Sequence, residues 1–328
     1  MTLEELGFGE AEQLALERGG WARADCARVI RAERGQVVVL GEQGEKMLVI
    51  PGSLKGADVA PTTGDWIVGS PRGAVEAVLP RRTRFVRRAA GLRTEAQVVA
   101  ANVDIAFVLT GLDGDFNLRR IERYLTLVGE SGAKAVVLLT KAAQAEDREL
   151  RLAQARTVAP SADVHAIDVV DGIEPDAPRA YLGPGITAAV LGSSGVGKST
   201  LVNYLMGQTV AKTNEVREHD DRGKHTTSRR ELFLLPGGGA IIDTPGMREL
   251  SVWGDAASLD VSFPDVARLA ACCRFRDCRH VREPGCEVRA AIARGELTEE
   301  RLASYVNLSE EIAATERARL EKERRRRR

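Results

Sequence analysis

The sequence predicts a multidomain α/β protein with three successive parts: a small β-barrel, an alternating β/α domain and a helical module. Three observations lead to this fold class. Short β-like runs crowd the N-terminal third, β and α patterns alternate through the middle, and a cluster of cysteines precedes helical patterns at the end. The expected boundaries are a helical segment at 1–21, the barrel at 22–85, the β/α domain at 86–254 and the helical module at 255–328.

Composition restricts the class of protein. The chain of 328 residues carries 47 Lys and Arg against 47 Asp and Glu, so it is not a polycation as a whole, although local basic patches can still bind nucleic acid. The first residues lack the charged-then-apolar order of a signal peptide. No apolar run is long enough to span a bilayer. We therefore expect a cytoplasmic protein with no membrane partner.

Five short apolar runs separated by Gly or Pro are predicted as strands of the N-terminal barrel. Five strands within about sixty residues fit a small closed barrel. An OB-fold is expected, with an SH3-like barrel as the structural alternative. The runs are 26–30, 36–40, 46–50, 65–68 and 74–79.

A basic stretch at 81–88 follows the barrel directly. It is interpreted either as a solvated linker or as a strip that contacts phosphates, with Phe85 able to stack on a base.

Buried strands and amphipathic helices alternate after residue 105. This alternation is typical of a parallel sheet with helices on both faces. The predicted elements are strands at 105–110, 135–139 and 164–167 and helices at 117–129 and 145–158.

A glycine-rich loop joins the strand predicted at 186–191 to the helix predicted at 201–206, with the spacing G-x-x-x-x-G-K-S. Glycines let successive backbone N–H groups turn toward a phosphate, and the helix N-terminus adds partial positive charge. Lys198 would reach the β- and γ-phosphates, and Ser199 would ligate Mg²⁺. A nucleoside triphosphate site is therefore predicted at Gly192, Ser193, Ser194, Gly195, Val196, Gly197, Lys198, Ser199 and Thr200.

The tetrapeptide D-T-P-G, from Asp243 to Gly246, closes a buried strand and matches the D-x-x-G pattern of GTP-hydrolysing proteins. In that pattern the Asp holds the Mg²⁺ shell and the Gly N–H meets the γ-phosphate. A hydroxyl from Thr226 or Thr227 would complete the metal site and order its loop only while the γ-phosphate is bound.

Four candidate metal ligands lie close together near the C-terminus. Cys273, Cys278, His280 and Cys286 form C-x4-C-x-H-x5-C, and three thiolates with one imidazole suit one tetrahedral, structural Zn²⁺. Cys272 is expected to point away, although an exchange with its neighbour Cys273 stays open.

Arginines surround this cysteine cluster and close the chain. Helices are predicted at 287–294 and 298–319, and an arginine run follows. The run is either a solubility tail or, beside the cluster, a source of salt-dependent RNA affinity. The arginines near the cluster are Arg274, Arg276, Arg279 and Arg282.

The base-reading loop stands in an unusual place. In ordinary GTPases N/T-K-x-D follows D-x-x-G, whereas here the candidate Thr140-Lys141 precedes the phosphate loop. This order is circularly permuted, and with it the chain resembles the RsgA (YjeQ) family of small-subunit-dependent GTPases. The barrel, the permuted core, the Gly-Lys-His-Thr-Thr loop at 223–227 and the cysteine cluster all contribute to the resemblance.

The resemblance implies a GTP hydrolase that binds GTP or GDP, the small (30S) ribosomal subunit and its 16S rRNA. It implies assistance in late subunit maturation, with hydrolysis timing the release of the protein. It also supports zinc in the cysteine cluster and Mg²⁺ with GTP. We expect a monomer.

Ala143 departs from the family pattern, which has Asp two residues after Lys141. That Asp accepts hydrogen bonds from guanine N1–H and the N2 amino group. Losing a hydrogen bond to a charged group costs about 1.5–3 kcal/mol, so guanine preference is expected to fall by about ten- to a hundredfold. Gln144 or Asp147 can substitute only if the loop shifts.

Hydrolysis also needs a group that orients water. Met247 follows Gly246 where many GTPases carry Gln, and a thioether cannot orient water by hydrogen bonding. His225 is the nearest polar candidate, and the resemblance supports this role; its alternative is an exposed loop residue without chemistry.

Two other functions stay open. One is a nucleotide-dependent RNA-binding module with little hydrolysis or relaxed nucleotide specificity, favoured by Ala143 and Met247. The other is a P-loop kinase or ATPase, against which D-T-P-G and the nearby switch threonines argue.

Overall fold

A computed structural model describes residues 1–56, 59–88, 96–210, 231–243 and 256–326 of the chain. Strands fill the N-terminal part, strands and helices alternate in the middle, and helices form the C-terminal part. The strands are β1 (Cys26–Glu33), β2 (Gln36–Gly41), β3 (Gly44–Val49), β4 (Trp66–Gly69), β5 (Val75–Val78), β6 (Arg84–Arg88), β7 (Ala96–Ala101), β8 (Ile105–Gly111), β9 (Lys134–Thr140), β10 (Asp163–Ala166), β11 (Thr187–Gly192), β12 (Glu231–Leu234) and β13 (Ala240–Asp243). The α-helices are α1 (Glu10–Gly19), α2 (Leu118–Ser131), α3 (Arg148–Val158), α4 (Lys198–Met206), α5 (Ala256–Ser262), α6 (Pro264–Ala270), α7 (Glu287–Ala293) and α8 (Glu299–Arg326).

The first five strands form a closed ring of pairings, and all five predicted strands are present. β1 pairs antiparallel with β2 and β4, β2 with β3, and β4 with β5. A parallel bridge between Val49 and Ala74 joins the end of β3 to the start of β5 and completes the ring. Alternate β-branched residues fill its interior, because successive side chains of a strand point to opposite faces. The interior side chains include Val29, Val37, Val39, Ile67 and Val75.

The N-terminal segment contributes more core than the sequence suggests. Its helix, α1, covers only Glu10–Gly19, but residues before it are also buried. Leu3, Leu6 and Phe8 pack against Trp66 of β4, and the Phe8 and Trp66 rings meet edge to face at 5.3 Å. This segment therefore forms a second apolar layer on the outside of the strand ring.

The basic stretch at 81–88 is neither a solvated linker nor a strip with an accessible aromatic. Part of it forms β6, which pairs antiparallel with β7 in a separate two-stranded sheet. Phe85 is 1% exposed and packs in the main core, so it cannot stack on a base. The functional interpretation of Phe85 is therefore wrong.

Acidic partners hold two arginines of this stretch. Arg81 donates to both carboxylate oxygens of Asp65 at 2.7 Å, and the Asp65 side chain is 0% exposed. Arg82 bonds to Glu12 at 3.1 Å and to Asp104 at 3.0 Å. Because a buried carboxylate is costly unless it is paired, these arginines stabilise the junction between the strand ring and the β/α part.

The central sheet has the strand order β10-β9-β8-β11-β13-β12, and it is parallel except for β12. Its helices lie on both faces, as predicted. α2 and α3 share a core with one face, and α4 packs on the other through Leu201, Val202 and Leu205. The β12 edge pairs with β1 at Arg31 and Glu231, so the central sheet continues into the strand ring.

The C-terminal helices pack against α2 around a buried arginine. Arg301 of α8 donates to Glu122 of α2 at 2.6 Å and to both carboxylate oxygens of Asp265 at 2.9 and 3.0 Å. Its guanidinium also lies 4.2 Å from the ring centroid of Phe263. The side chains of Arg301 and Glu122 are only 7% and 3% exposed. Each therefore neutralises the buried charge of the other.

Arg301→Met is expected to destabilise the protein by about 3–5 kcal/mol, because Glu122 would be left as an unpaired buried carboxylate. Urea unfolding followed by circular dichroism measures the loss. Arg123→Ala is the matched control: Arg123 makes a bidentate pair with Glu311 from the same helix pair, but both side chains are well exposed, at 41% and 36%. The control should cost about 0–1 kcal/mol. Equal losses of unfolding free energy in the two variants would show that the buried pair of Arg301 and Glu122 stabilises the protein no more than an exposed pair does.

Among the described residues, no helix is both long and apolar enough to cross a membrane.

Candidate nucleotide and metal sites

The carboxyl ends of β8, β9, β10 and β11 lie at one edge of the central sheet, because these neighbouring strands are parallel. Ligands of open α/β sheets bind at this edge. Four loops meet there, and they contain Asp113 and Asp115 after β8, Lys141 to Ala143 after Thr140 ends β9, Asp168 after β10 and the glycine-rich loop after β11.

The glycine-rich loop has the strand-loop-helix form that its spacing predicts. β11 ends at Gly192 and α4 begins at Lys198. Gly195 and Gly197 have φ of +75° and +97°, a left-handed conformation that favours glycine. A Cβ on Gly192 would lie 2.7 Å from the carbonyl oxygen of Leu109, so the close approach to β8 also requires glycine. The glycines therefore give this loop its tight turn against β8.

The Lys198 ammonium lies over this loop. It donates to the carbonyl oxygen of Gly192 at 2.9 Å and also to that of Ser193. Ser199 and Thr200 follow in the first turn of α4, next to the helix N-terminus. The Ser193 hydroxyl donates to Asp115 Oδ2 at 2.6 Å. The predicted phosphate-loop residues thus run without a break from the end of β11, through the loop, to the first turn of α4.

Thr140 joins the loop after β9 to the phosphate loop. Its buried hydroxyl donates to the carbonyl oxygen of Val196 at 2.7 Å. Lys141, next in the chain, has a φ of +59° and pairs through Nζ with Asp113 Oδ2 at 2.6 Å. Partial burial raises the pKa of Asp113, but the Lys141 ammonium and the Asp115 N–H outweigh it and hold that pKa below its ordinary value. The structure therefore brings together Thr140, Lys141 and the phosphate loop.

The position two residues after Lys141 contacts an acid that sequence reasoning missed. The backbone N–H of Ala143 donates to Asp168 Oδ2 at 3.3 Å. Of the two substitutes considered, Gln144 is exposed and Asp147 pairs with Arg151 at 2.8 Å. The only signal for Asp168 in the sequence is its place directly after the strand predicted at 164–167.

The predicted switch residues are described only in part. Asp243 ends β13, which pairs with β11, so it lies at the same sheet edge as the phosphate loop. His225, Thr226, Thr227 and Gly246 lie outside the described residues, as does Met247.

The four predicted metal ligands converge, and we call them the metal cluster: Cys273, Cys278, His280 and Cys286. Their ligand atoms all lie within 4.8 Å of one another. Cys273 Sγ lies 4.0 Å from Cys286 Sγ and 3.7 Å from His280 Nδ1, and Cys286 Sγ lies 3.5 Å from that nitrogen. Two sulfurs bound to one tetrahedral Zn²⁺ would be about 3.8 Å apart. The four residues thus fit one metal ion.

The surroundings of the metal cluster shift the pKa values of two of its ligands, His280 and Cys278. Burial lowers the pKa of His280, which favours the neutral ring that can ligate a metal. Desolvation, with hydrogen bonds to Cys286 and Cys273, raises the pKa of Cys278 to about 11, and a bound metal ion would favour its thiolate. Cys272 is exposed and bonds to the carbonyl oxygen of Arg268 at 3.6 Å, so it points away as expected.

The fold and the order of the loops define the class of protein. A parallel sheet with a phosphate loop, in which the base-reading loop comes earlier in the chain than the phosphate loop, is the fold of a circularly permuted GTPase. Two solved structures share this fold. YjeQ from Thermotoga maritima has a TM-score of 0.64 at 22% identity, over 88% of this chain and 98% of that one. YloQ, described as a circularly permuted GTPase, has a TM-score of 0.63 at 23% identity, over 88% of this chain and 95% of that one.

Sequence relatives give the family. Residues 78–253 match the RsgA GTPase family. The small ribosomal subunit biogenesis GTPase RsgA of Xanthomonas euvesicatoria pv. vesicatoria is 52% identical over 252 residues, which cover 76% of this chain and 69% of that protein. The RsgA of Xanthomonas oryzae pv. oryzae (strain MAFF 311018) is 51% identical over the same length. The chain belongs to the RsgA GTPase family.

Proposed function

We propose that this protein is a GTP hydrolase that binds the small ribosomal subunit, assists its late maturation and uses hydrolysis to time its release. The observation that carries the proposal is the contact between Thr140 and Val196, which holds a base loop against a phosphate loop in a permuted chain of the RsgA family. The Xanthomonas relatives are named as small ribosomal subunit biogenesis GTPases. A ribosomal partner implies a cytoplasmic site of action.

In this proposal the phosphate loop from Gly192 to Thr200 holds the triphosphate. Its backbone N–H groups and the N-terminus of α4 supply positive potential, and Lys198 neutralises charge on the transferred phosphoryl group. Ser199, in the first turn of α4, and Asp243, at the end of β13, would hold Mg²⁺, which would neutralise phosphate charge. Thr226 or Thr227 would complete the metal site, and the Gly246 N–H would meet the γ-phosphate.

The strand pairing supports an OB-fold for the N-terminal part. A closed five-stranded ring in which the third strand meets the fifth in parallel is the arrangement of that fold. We propose the four-part organisation 1–21, 22–85, 86–254 and 255–328, with the metal cluster as a structural zinc site. The protein is proposed to act as a monomer.

The surface around the metal cluster supports an RNA partner, proposed to be 16S rRNA. Phe275 is 41% exposed, and the Arg274 guanidinium lies 5.5 Å from its ring centroid. An exposed aromatic beside arginines can stack on an unpaired base while the cations contact phosphates. Three further exposed arginines share this surface: Arg276, Arg279 and Arg282.

The test is hydrolysis of GTP and of ATP by the full-length protein, each with and without purified 30S subunits. The proposal predicts slow GTP turnover that the subunit stimulates, with little ATP turnover. The second candidate, a nucleotide-dependent RNA-binding module, is favoured by Ala143; it predicts subunit binding without stimulated turnover. Subunit-independent ATP turnover would instead indicate an ATPase.

His225→Ala is expected to lower subunit-stimulated GTP turnover by about a hundredfold and to leave nucleotide binding unchanged. A group that positions or deprotonates water contributes roughly 10²–10⁴-fold, and Met247, at the position where many GTPases carry Gln, cannot form the required hydrogen bond. The turnover number at saturating 30S subunits and the Kd of a fluorescent GDP report the two effects separately. Equal turnover in the variant and the parent would remove His225 from the mechanism.

A further inference from the structure

We propose that Asp168, from the loop after β10, supplies the carboxylate that reads guanine, in place of the Asp that the family pattern has at position 143. This inference rests on the proposed nucleotide site and identifies the residue that selects its base. It resolves the absence of a carboxylate at Ala143 without any shift of the loop after β9.

The Asp168 carboxylate has a fixed position beside that loop. Oδ1 accepts hydrogen bonds from the backbone N–H groups of Val170 at 3.1 Å and Asp171 at 3.2 Å. The backbone of Asp168 exchanges two hydrogen bonds with Ile173, at 2.7 and 2.9 Å. Asp168 is only 6% exposed, so these bonds leave its carboxylate little freedom to move.

The other carboxylate oxygen faces the base loop. Oδ2 accepts the N–H of Ala143 at 3.3 Å, which is long for a hydrogen bond to a carboxylate, and each carboxylate oxygen can accept more than one bond. The family Asp would project from residue 143 itself. A carboxylate within hydrogen-bonding distance of that backbone therefore lies beside the place where the pattern expects one.

Two other acids near the loop, Asp147 and Asp113, have partners of their own. Asp147 pairs with Arg151 and is exposed, and Asp113 pairs with Lys141 on the β8 side of the loop. A second carboxylate at position 143 would lie next to Asp168, and two like charges at that distance repel. This place therefore has one carboxylate, and it comes from Asp168 after β10, whereas position 143 after β9 is alanine.

The chemistry of the two purines gives the selectivity. Guanine offers its N1–H and N2 amino group as donors to a carboxylate, whereas adenine offers an acceptor at N1. A site built to accept hydrogen bonds discriminates strongly against a ligand that leaves its buried acceptor unpaired. Asp168 would therefore preserve GTP preference despite Ala143.

Asp168→Asn tests the assignment in the full-length protein, with fluorescent GDP and fluorescent xanthosine diphosphate as probes. The asparagine amide keeps an oxygen for the N–H groups of Val170 and Asp171, gives up the long bond from the Ala143 N–H, and presents N–H₂ toward the base. It should repel the guanine N2 amino group and donate to the xanthine O2 instead. We expect GDP affinity to fall and xanthosine diphosphate affinity to rise, each by about tenfold or more.

Three comparisons make the test decisive. Asp147→Asn, which removes the exposed carboxylate paired with Arg151, should keep the parent affinities for both nucleotides. Ala143→Asp alone should not tighten GDP binding if Asp168 already reads the base. Adding Ala143→Asp to Asp168→Asn should restore GDP binding.

An Asp168→Asn variant with the parent melting temperature and unchanged affinities would overturn the inference. So would an increase of about tenfold in GDP affinity from Ala143→Asp alone, which needs no measurement on Asp168 variants. If the parent protein bound no guanine nucleotide, the proposed nucleotide site itself would fail, which is a different result.

Discussion

Lys198→Ala is expected to lower subunit-stimulated GTP turnover by about 10²- to 10³-fold, the loss that follows removal of one preorganised donor from a developing negative charge. The Lys198 ammonium already lies against the phosphate loop, on the carbonyl oxygens of Gly192 and Ser193. It therefore needs only to turn from these carbonyls to the phosphates when nucleotide enters. Single-turnover hydrolysis of GTP at saturating 30S subunits measures the loss.

The matched control for this variant is Lys134→Ala. Lys134 pairs with Asp163 on the surface, with side-chain exposures of 57% and 52%, and takes no part in the proposed site. The control should keep the parent turnover. If Lys198→Ala retained turnover within threefold of the parent, the glycine-rich loop would not be the site of phosphoryl chemistry.

Loss of the metal is expected to unfold the C-terminal module while the central sheet stays folded. Metal binding in small Cys/His sites is worth roughly 10–16 kcal/mol, more than the net stability of most domains. α7 depends directly on the metal cluster, because the Cys286 thiol accepts the Arg289 N–H at its N-terminus. Hydrogen exchange before and after treatment with a strong chelator locates the unfolded segment.

Cys278→Ser should reproduce the effect of the chelator and lower the bound zinc, measured by atomic absorption, well below one ion per chain. Cys272→Ser removes an exposed thiol outside the metal cluster and should leave both metal content and exchange unchanged. Protection of α7 in the chelated protein, with full loss of the metal, would show that the module folds without it.

Local signals explain what the sequence predicted well. The phosphate loop has a fixed glycine spacing, and the patterns on either side of it change from apolar strand to helix, so the sequence predicts 186–191 and 201–206, within three residues of the bounds of β11 and α4. The metal cluster was found because Cys and His are scarce and close in sequence. The strands of the ring were found because Gly and Pro separate short β-branched runs.

Long-range placement explains what the sequence missed. Asp168 has no spacing signature, and only the pairing of β10 with β9 brings it to Ala143. Arg301 and Glu122 are 179 residues apart, so no local pattern could pair them. The arginine-rich stretch concealed strand β6, which pairs with β7 and places Phe85 in the main core.

The arrangement suggests how nucleotide state reaches the ribosome. The C-terminal module follows the D-x-x-G segment in the chain and is anchored to α2 by Arg301. A rearrangement at the γ-phosphate can therefore act on the module both through the chain and through α2, whose strand neighbours carry the base loop. In the proposed function, both routes would couple the nucleotide site to the arginine-rich surface around the metal cluster.

The affinity of the full-length protein for purified 30S subunits, measured with a non-hydrolysable GTP analogue and with GDP, tests this account most directly. Coupling between two sites of this kind is typically worth about 5- to 150-fold in affinity, so we expect binding at least about tenfold tighter with the analogue. Equal affinity in the two nucleotide states would contradict the claim that loss of the γ-phosphate releases the protein from the subunit.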